Sequence, residues 1–384
     1  VSQVAVSLVL LICAGLFIRS LGRAQSVDPG FETERVLTVP LDLEPGGYDE
    51  VRGSLFYRQL LDQVERMPGV QRASLAEIIP LMLHRRHGEV VVEGYEASGG
   101  DYPVLDNNTV GPQYFETMDI PIIAGREFNL QDGEGAPLVV IVNEMMARRF
   151  WQGPQSALGR RLRFPQGDNV FSPYYEVVGV AKDSKYGSMG EEPRSFFYVP
   201  TLQNYRQQTA LHVRTVGEPS LLRSAVRDRV LALDKGLLVE VSTMRENLAM
   251  AFLPARVAAA LLGLFGLLGL SLAVVGIYGV ISYAASQRTG EIGLRMALGA
   301  QSRDILRLVI GQGLKLTLIG VGLGGAVALA LTRFLSSLLV GVSATDPLTF
   351  LAVPLLPTFV ALLACWIPAR RATKVDPIIA LRFE

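Results

Sequence analysis

Four long apolar runs divide this chain into parts of different character. They cover Val4 to Ile18, Val257 to Ala285, Leu314 to Leu331 and Leu348 to Ile367. A helix needs about 20 apolar residues to cross a bilayer, so the last three runs predict membrane-spanning helices. Because the first run is short, we expect residues 1–21 to be a span that begins upstream in a longer protein. A valine start codon is the alternative.

Residues 22–256, between the first and second runs, have the mixed pattern of a globular domain. Short or alternating apolar stretches predict strands at Val36 to Leu43, Glu89 to Val92, Val139 to Val142, Glu176 to Val180, Phe196 to Val199, Ala210 to Val213 and Leu238 to Val241. Helical periodicity covers Val51 to Arg66, Glu144 to Trp151 and Ser220 to Leu233. Turn signals such as Pro45-Gly46-Gly47 separate these elements, which predicts an α+β domain of one or two lobes.

Residues 257–384 form the second part, with three spans, a coupling loop at 286–312 and a tail at 368–384. The loop contains Arg288, Arg295, Arg303 and Arg307, and the tail contains Arg370, Arg371, Lys374 and Arg382. Basic residues near span ends favour the cytoplasm, so loop, tail and both termini are predicted there and residues 22–256 outside. Arg19 and Arg23, just after the first span, go against this assignment.

Small residues recur every four positions in two spans, as Ala255, Ala259 and Gly263 and as Gly320, Gly324 and Ala328. This spacing lets helices approach closely in lipid. Pro354 and Pro357 are expected to bend the fourth span. Lys315 lies near the cytoplasmic end of its span, and no charged residue lies deep in any span, so we expect no hydrophilic conduit within the four helices.

Composition agrees with a multi-domain membrane protein of four transmembrane helices and an α+β extracytoplasmic domain. Hydrophobic residues make up 49% of the chain and charged residues 19%, and the mean hydropathy is +0.32. Lys plus Arg and Asp plus Glu each number 36, so the basic surface of a nucleic-acid-binding protein is not expected. The cysteines, Cys13 and Cys365, lie in apolar runs and offer no disulfide framework to the domain.

Several short motifs favour structural roles over chemistry. The pattern G-x-G-x-x-G at 320–325 lies inside an apolar span, where helix packing explains it better than a dinucleotide, and no P-loop occurs. His84 and His87 are two histidines without a third ligand, which favours a solvated loop over a metal site. Asn107-Asn108-Thr109 fits a glycosylation acceptor but favours a polar turn, and His212 favours a satisfied strand position. We therefore expect no cofactor, no metal and no enzyme active site.

The coupling loop is the most informative segment, because it reads as two short helices separated by Gly299. Arg288, Glu291 and Arg295 share one face of the first helix, and Ile292, Leu294, Met296 and Leu298 cover the rest. Ser302 is suited to cap the second helix. A charged stripe beside apolar residues suits docking into a partner's groove or lying along the membrane interface. The alternative is that these charges only anchor the loop by the positive-inside rule.

The stretch from Arg288 to Ala300, RTGEIGLRMALGA, closely resembles the cytoplasmic loop of FtsX-like, MacB-type ABC transporter permeases. The tail motif PARRA at 368–372, with Asp376-Pro377 and Ala380-Leu-Arg382, is similar to their C-terminal tail. In the domain, Tyr114-Phe115, Gly125-Arg126-Glu127-Phe128 and Val142-Asn143-Glu144 look like the MacB-type periplasmic core domain.

The resemblance implies a permease subunit in a bacterial inner membrane that transmits ATPase-driven motion to its periplasmic domain, for efflux or extrusion of peptides, lipids or drugs. It implies a cytoplasmic ABC ATPase, a homodimer or pseudo-dimer with a second permease half, and a periplasmic adaptor as a further partner. The ATPase-coupling residues would be Arg288, Glu291, Ile292, Arg295, Leu298 and Gly299.

Two departures from the family pattern bear on partners. The chain has neither a fused ATPase nor a cytoplasmic N-terminal flank, so we expect it to be the C-terminal half of a duplicated permease. A non-transporting envelope regulator or sensor that uses the same motion is the alternative function. An ectoenzyme anchored by its helices is less favoured, because no catalytic constellation is visible between Gly22 and Arg256.

Overall fold

The computed structural model describes the chain except residues 83–84, 96–101, 168–169, 288–290, 292–293, 296–297, 299–300, 335–338, 340, 344 and 373–384. The chain divides into two compact units. The helical unit comprises Val1–Ser26 and Phe252–Glu384, and the extracytoplasmic domain comprises Val27–Ala251. The sequence had suggested boundaries at residues 22 and 256.

The elements follow one another in chain order and are numbered here separately for helices and strands. The helices are α1 (Ser2–Ala24), α2 (Glu50–Glu65), α3 (Tyr114–Met118), α4 (Glu144–Trp151), α5 (Pro154–Ala157), α6 (Arg223–Leu233), α7 (Met244–Ala251), α8 (Leu253–Gln287), α9 (Ser302–Phe334), α10 (Pro347–Ala352) and α11 (Leu355–Ala372), with a 3₁₀ turn at Pro219–Leu222. The strands are β1 (Val36–Asp42), β2 (Val70–Ala76), β3 (His87–Glu89), β4 (Val91–Val92), β5 (Val104–Val110), β6 (Ile122–Gly125), β7 (Val139–Asn143), β8 (Arg161–Arg163), β9 (Pro165–Gly167), β10 (Val170–Phe171), β11 (Tyr175–Ala181), β12 (Phe196–Pro200), β13 (Gln208–Thr215) and β14 (Ser242–Thr243).

Within the described residues, four helical segments are long and apolar enough to cross a membrane, as the sequence predicted. They are Ser2–Ala24, Leu253–Ala284, Arg303–Phe334 and Pro347–Arg370. The fourth is interrupted where predicted: α10 ends at Ala352 and α11 begins at Leu355, with Pro354 between them. Proline lacks the N–H that a continuous helix would need at this position.

The first span, α1, is the central helix of the helical unit. About 56% of its most apolar stretch is buried within the protein, against 17% to 22% in the other three spans. It approaches α9 closely at Gly324, where an added Cβ would lie 2.7 Å from the Ala5 carbonyl oxygen. Gly320 and Gly324 therefore serve helix packing, and the packing interpretation of the glycine motif is confirmed.

The extracytoplasmic domain is built on one mixed sheet. The strand order is β14-β1-β13-β2-β5-β12-β7-β11-β8-β4, with β3 paired to β5 and β6 to β11, while β9 and β10 form a separate hairpin. Pairs such as β1 with β13 are antiparallel, whereas β5 with β12 and β7 with β11 are parallel. Alternation of antiparallel and parallel pairs in one sheet agrees with the predicted α+β class.

Two apolar clusters support the two halves of the sheet. One packs α2 and α6 against β1, β2 and β13, with Leu37, Leu60, Leu211 and Val230 at its centre. The other packs α4 and α5 against β7, β11 and β12, around residues such as Val140, Met146 and Phe197. The halves meet where β2 and β5 share the register pair Ala76 and Val110. The sheet is thus continuous, while its apolar clusters are local.

Two predictions about secondary structure in the domain are wrong. Residues 238–241 are not a strand; pairing with β1 occurs at Ser242–Thr243 and stops there. Continuing the register would place residue 240 opposite Pro40, and a proline has no N–H to donate. Asn107-Asn108-Thr109 is not a turn but part of the buried strand β5.

The Asn108 side chain explains why a polar triplet lies in a buried strand. Its Oδ1 accepts a hydrogen bond from the Ile78 N–H at 2.9 Å, and its Nδ2 donates to the Ile78 carbonyl at 3.0 Å. The neighbouring Thr109 hydroxyl donates to Glu77 Oε2 at 2.7 Å. Because their polar atoms are bonded, these residues tolerate burial.

Candidate functional site

The two ends of the coupling loop adjoin a small cluster of buried apolar residues where three helices meet, which we call the apolar base. Ile281 of α8, Ile305 and Val309 of α9, and Cys365 and Ala369 of α11 are buried against one another. The helices at both ends of the loop, α8 before it and α9 after it, are therefore packed against α11.

Side-chain hydrogen bonds stabilise the helix turns at the two ends of the loop. At the end of α8, the Gln287 amide donates to the Tyr283 hydroxyl at 2.7 Å. At the start of α9, Asp304 Oδ2 accepts from the Gln301 N–H at 3.1 Å. An acidic side chain in the first turn also suits the positive end of the helix dipole. The side chain of Ser302, the predicted cap, lies outside the described residues.

The described part of the loop presents an ion pair beside apolar side chains. Arg295 Nη2 lies 2.5 Å from Glu291 Oε1, and the two side chains remain 50% and 48% exposed. The Leu298 N–H donates to the Leu294 carbonyl at 3.0 Å, one helical turn apart. Leu294 and Leu298 are 51% and 80% exposed. Two exposed leucines next to a weak local ion pair form a surface suited to a partner.

Three of the predicted coupling residues, Arg288, Ile292 and Gly299, lie outside the described residues. Glu291, Arg295 and Leu298 are described and lie on one short segment, but nothing in the structure tests their contact with an ATPase. The apolar base at Ile281, Ile305 and Val309 was not singled out from the sequence. Ile281 lies in a predicted span, whereas Ile305 and Val309 lie in the predicted coupling loop, where the structure already has α9.

The motif residues of the extracytoplasmic domain hold the fold together. Glu127 Oε1 accepts from the Phe115 N–H at 2.8 Å, which joins the GREF motif to the Tyr114-Phe115 motif. Burial raises the pKa of the Glu127 carboxyl from 4.5 to about 7, the Phe115 N–H offsets part of that rise, and nearby Glu116 adds to it. Gly125 has a positive φ of 72°, and a Cβ there would collide with the Val178 carbonyl oxygen.

A second motif residue, Asn143, is a buried hydrogen-bond centre. Its Oδ1 accepts from the Met146 N–H at 3.0 Å and the Phe196 N–H at 2.9 Å. Its Nδ2 donates to Asp183 Oδ1 and to the Arg194 carbonyl oxygen, both at 2.7 Å. One side chain therefore caps α4 and ties it to β12 and to the loop after β11.

The histidines do not build a catalytic or metal site in the part of the chain that the structure describes. His87 is exposed in β3, and His84 lies outside the described residues. His212 is fully buried in β13, where burial lowers its pKa to about 4. Its Nδ1 lies 3.2 Å from the Ala210 carbonyl oxygen, but Nε2 has no described partner, so the prediction of a satisfied histidine is wrong at that atom. No group of three His, Cys, Asp or Glu residues among the described ones is placed to hold a metal ion.

Comparisons with known families cover most of the chain. The model of the MacB-like periplasmic core domain matches residues 5–233, and the model of the FtsX-like permease C-terminal region matches residues 263–377. Together they include most of the extracytoplasmic domain and of the second span, the coupling loop and the last two spans.

Individual relatives are distant but extensive. The macrolide export ATP-binding/permease protein MacB of Salmonella paratyphi A is 25% identical over 90% of this chain and 52% of its own length. The protein of the same name from Rhodopseudomonas palustris is 25% identical over 71% of this chain and 42% of its own length. The chain therefore spans about half the length of the relatives it matches.

Among solved structures, the periplasmic region of MacB from Actinobacillus actinomycetemcomitans aligns with 59% of this chain and 94% of its own, at 13% identity and a TM-score of 0.39. The extracellular domain of the noncanonic ABC-type transporter YknZ from Gram-positive bacteria aligns with 54% of this chain and 98% of its own, at 14% identity and a TM-score of 0.35.

Proposed function

The chain belongs to the family of FtsX-like permeases with a MacB-like periplasmic core domain, and on that premise we propose that it is the permease subunit of an ABC transporter. In this proposal a separate cytoplasmic ATPase docks on the coupling loop, and its nucleotide-driven motion reaches the extracytoplasmic domain through the helices. The outcome is efflux or extrusion of peptides, lipids or drugs from the outer side of the membrane.

One observation supports this proposal most strongly: the coupling loop exposes Glu291, Leu294, Arg295 and Leu298, and its ends adjoin a base of buried apolar residues. An exposed Glu–Arg pair one helical turn apart contributes only about 0.3 to 0.5 kcal/mol to helix stability. Its contribution to the fold is therefore small. Buried in an interface, the same charges would be costly to leave unpaired, which suits a docking role.

The orientation and the partners are part of the proposal. The arginines of the coupling loop and of the tail assign both segments and both termini to the cytoplasm, and residues 22–256 to the outside. Long apolar stretches of α8, α9 and α11 remain uncovered within one chain, which suits contact with a second permease half and with the bilayer. A periplasmic adaptor for the extracytoplasmic domain completes the proposed assembly.

The transported compound is proposed not to cross the membrane through this chain. The spans have no charged side chain at mid-membrane depth, which is where a polar conduit would need one. In this proposal the compound is moved by motion of the extracytoplasmic domain and not through a channel between the four helices.

The direct test reverses the charges of the ion pair on the coupling loop. The double variant Glu291→Arg with Arg295→Glu keeps the net charge and permits the same pairing within the loop. We expect normal expression and membrane insertion but a loss of ATPase co-purification and of its stimulation, because the partner meets charges of the wrong sign. The matched control is E144R/R148E, which reverses another Glu–Arg pair with the same helical spacing in the extracytoplasmic domain. Wild-type ATPase binding by the loop variant would refute the docking role.

A further inference from the structure

The outer end of the helical unit, where α1 ends and α10 begins, contains the two arginines that go against the positive-inside pattern. The structure gives both a partner. Arg19 Nη1 contacts Asp346 Oδ2, and Arg23 Nη1 donates to the Gly341 carbonyl oxygen. Both partners belong to the connection between α9 and α10. The last two turns of α1 are therefore tied to a segment more than 300 residues later in the chain.

Asp346 has two structural tasks at once. The oxygen that meets Arg19 also accepts from the Thr349 N–H at 2.9 Å and from its hydroxyl at 2.7 Å. The carboxylate is thus the N-cap of α10 as well as the acceptor for Arg19. Its side chain is 10% exposed and that of Arg19 is 30% exposed. An ion pair that is largely withdrawn from water and has further hydrogen bonds is held in place more firmly than a surface pair.

Packing around this ion pair fixes α10 against α1. Thr349 Cγ2 and Val353 Cγ2 lie 3.2 Å and 3.4 Å from the position of an added Cβ at Gly15, so these two side chains pack directly on the glycine of α1. Val342 of the same connection is buried in a cluster with Leu8, Ile12 and Leu16 of α1 and Ala328 of α9. The connection is therefore seated on α1 by apolar contacts as well as by its charges.

The arrangement of the helices gives this contact its importance. α1 packs along its length against α8 and α9, and α11 packs against the same two helices. The contact of α1 with α10 leads directly, through Pro354, into α11. The other end of α11 is packed at the apolar base of the coupling loop, at Cys365 and Ala369.

From these contacts we infer that Arg19 and Asp346 form a latch through which the fourth span moves the first. Displacement at the base of the coupling loop passes along α11 to α10, and the latch makes α1 follow it. The chain then continues from Ala24 to β1 of the extracytoplasmic domain. This inference rests on the proposed function for the source of the motion, but the latch itself does not depend on it.

The latch can be tested without any partner protein. Gly22 and Leu348 are two exposed positions on α1 and α10. Spin labels on the substitutions Gly22→Cys and Leu348→Cys report the distance between these helices in nanodiscs when Cys13 and Cys365 are replaced by alanine. Arg19→Gln removes the cation, and Asp346→Asn removes the anion while an asparagine still caps α10. Arg256→Gln, at the start of α8, is the matched control, because this arginine is exposed.

We expect a narrow distance distribution in the spin-labelled chain with the latch intact and in R256Q, and a broader one in R19Q and in D346N. The double variant R19Q/D346N should be no broader than the single variants, since both remove the same interaction. Distributions in R19Q and D346N that match R256Q, or broadening that adds up in the double variant, would overturn the latch.

A second arm uses the complex with the ATPase and tests whether the latch transmits motion. With the latch intact, the distance between the labels at positions 22 and 348 should stay constant between nucleotide-free and ATP-bound states. In R19Q it should change with nucleotide while ATPase binding persists. A constant distance in R19Q, or a change with the latch intact, would overturn the transmission. If the chain with the latch intact fails to bind any ATPase, the proposed function fails, whereas the measurements on the chain alone still decide the latch.

Discussion

The motif residues of the extracytoplasmic domain and those of the coupling loop resemble the same family, but the structure holds them in opposite ways. Asn143 is buried and makes four hydrogen bonds to three other segments, and Glu127 links two motifs across the domain. Glu291 and Arg295 pair with each other across one helical turn and remain about half exposed.

This difference suggests two different reasons why motif residues resemble those of the family. A buried side chain that satisfies several backbone groups is required by the fold, whatever the protein does. An exposed pair that contributes a few tenths of a kcal/mol is not required by the fold. The domain motifs therefore report the architecture, and the loop motif is the better indicator of an interaction. Substitutions at three places, taken in order of expected effect on stability, test this contrast.

The largest effect is expected at Asn143. Replacing it by alanine leaves buried donors and acceptors unpaired and removes the cap of α4, so the free energy of unfolding should fall by about 3 kcal/mol or more. Fluorescence of Trp151, the buried last residue of α4, can follow urea unfolding once Trp366 is replaced by phenylalanine. Asn129→Ala is the control, because that side chain makes an exposed turn bond to the Gln131 N–H.

A smaller effect, visible as pH dependence, is expected at Glu127. The folded state keeps this carboxyl protonated up to a pKa of about 7, whereas the unfolded chain loses the proton near 4.5. The stabilisation is therefore complete below pH 4.5 and is lost as the pH rises to 7. The neutral variant Glu127→Gln should remove that part of the pH profile of the melting temperature.

His212 has the opposite sign, because its pKa falls to about 4 on folding and its contribution is lost as the pH drops from 6.5. His212 is present in both the wild type and E127Q. The difference between their melting temperatures, followed from pH 5.5 to 7.5, therefore reports the contribution of Glu127 alone. A difference that does not vary with pH would show that the carboxyl is not buried as described.

The smallest effect is expected in the coupling loop. Glu291→Ala or Arg295→Ala should each change the free energy of unfolding by less than about 0.5 kcal/mol, since the pair is exposed and local. Thermal unfolding in detergent measures this. A loss comparable to that of N143A would mean that the loop motif, like the domain motifs, serves the fold.

The sequence predicted the long elements well because their periodicity extends over many residues. All four spans, the helices at 51–66 and 144–151, and most predicted strands are confirmed. It missed β2 and β5, whose polar residues, such as Ser74 and Asn108, are satisfied only by partners distant in the chain. It also placed a strand at 238–241, where the obstacle, Pro40, is some 200 residues away.

Only the exposed part of the candidate site, on the coupling loop, could be predicted from the sequence. The charged stripe of the coupling loop is visible in the sequence as a local pattern, and its role in docking stays a prediction. The apolar base and the partners of Arg19 and Arg23 could not be foreseen, because they join helices that are far apart in the chain. Arginines that look like orientation signals can instead be committed to tertiary contacts, as these two are.

The proposed function requires the coupling loop and the extracytoplasmic domain to lie on opposite sides of one membrane. Cysteines at Leu130 and Leu298, which are 82% and 80% exposed, can be labelled with an impermeant maleimide in a chain without Cys13 and Cys365. Asp132 in the same domain is a poorer position, because it is 4% exposed and bound by Arg126. In spheroplasts we predict labelling of L130C at once and of L298C only after permeabilisation. Labelling of both under the same condition, or in the reverse order, would contradict the account.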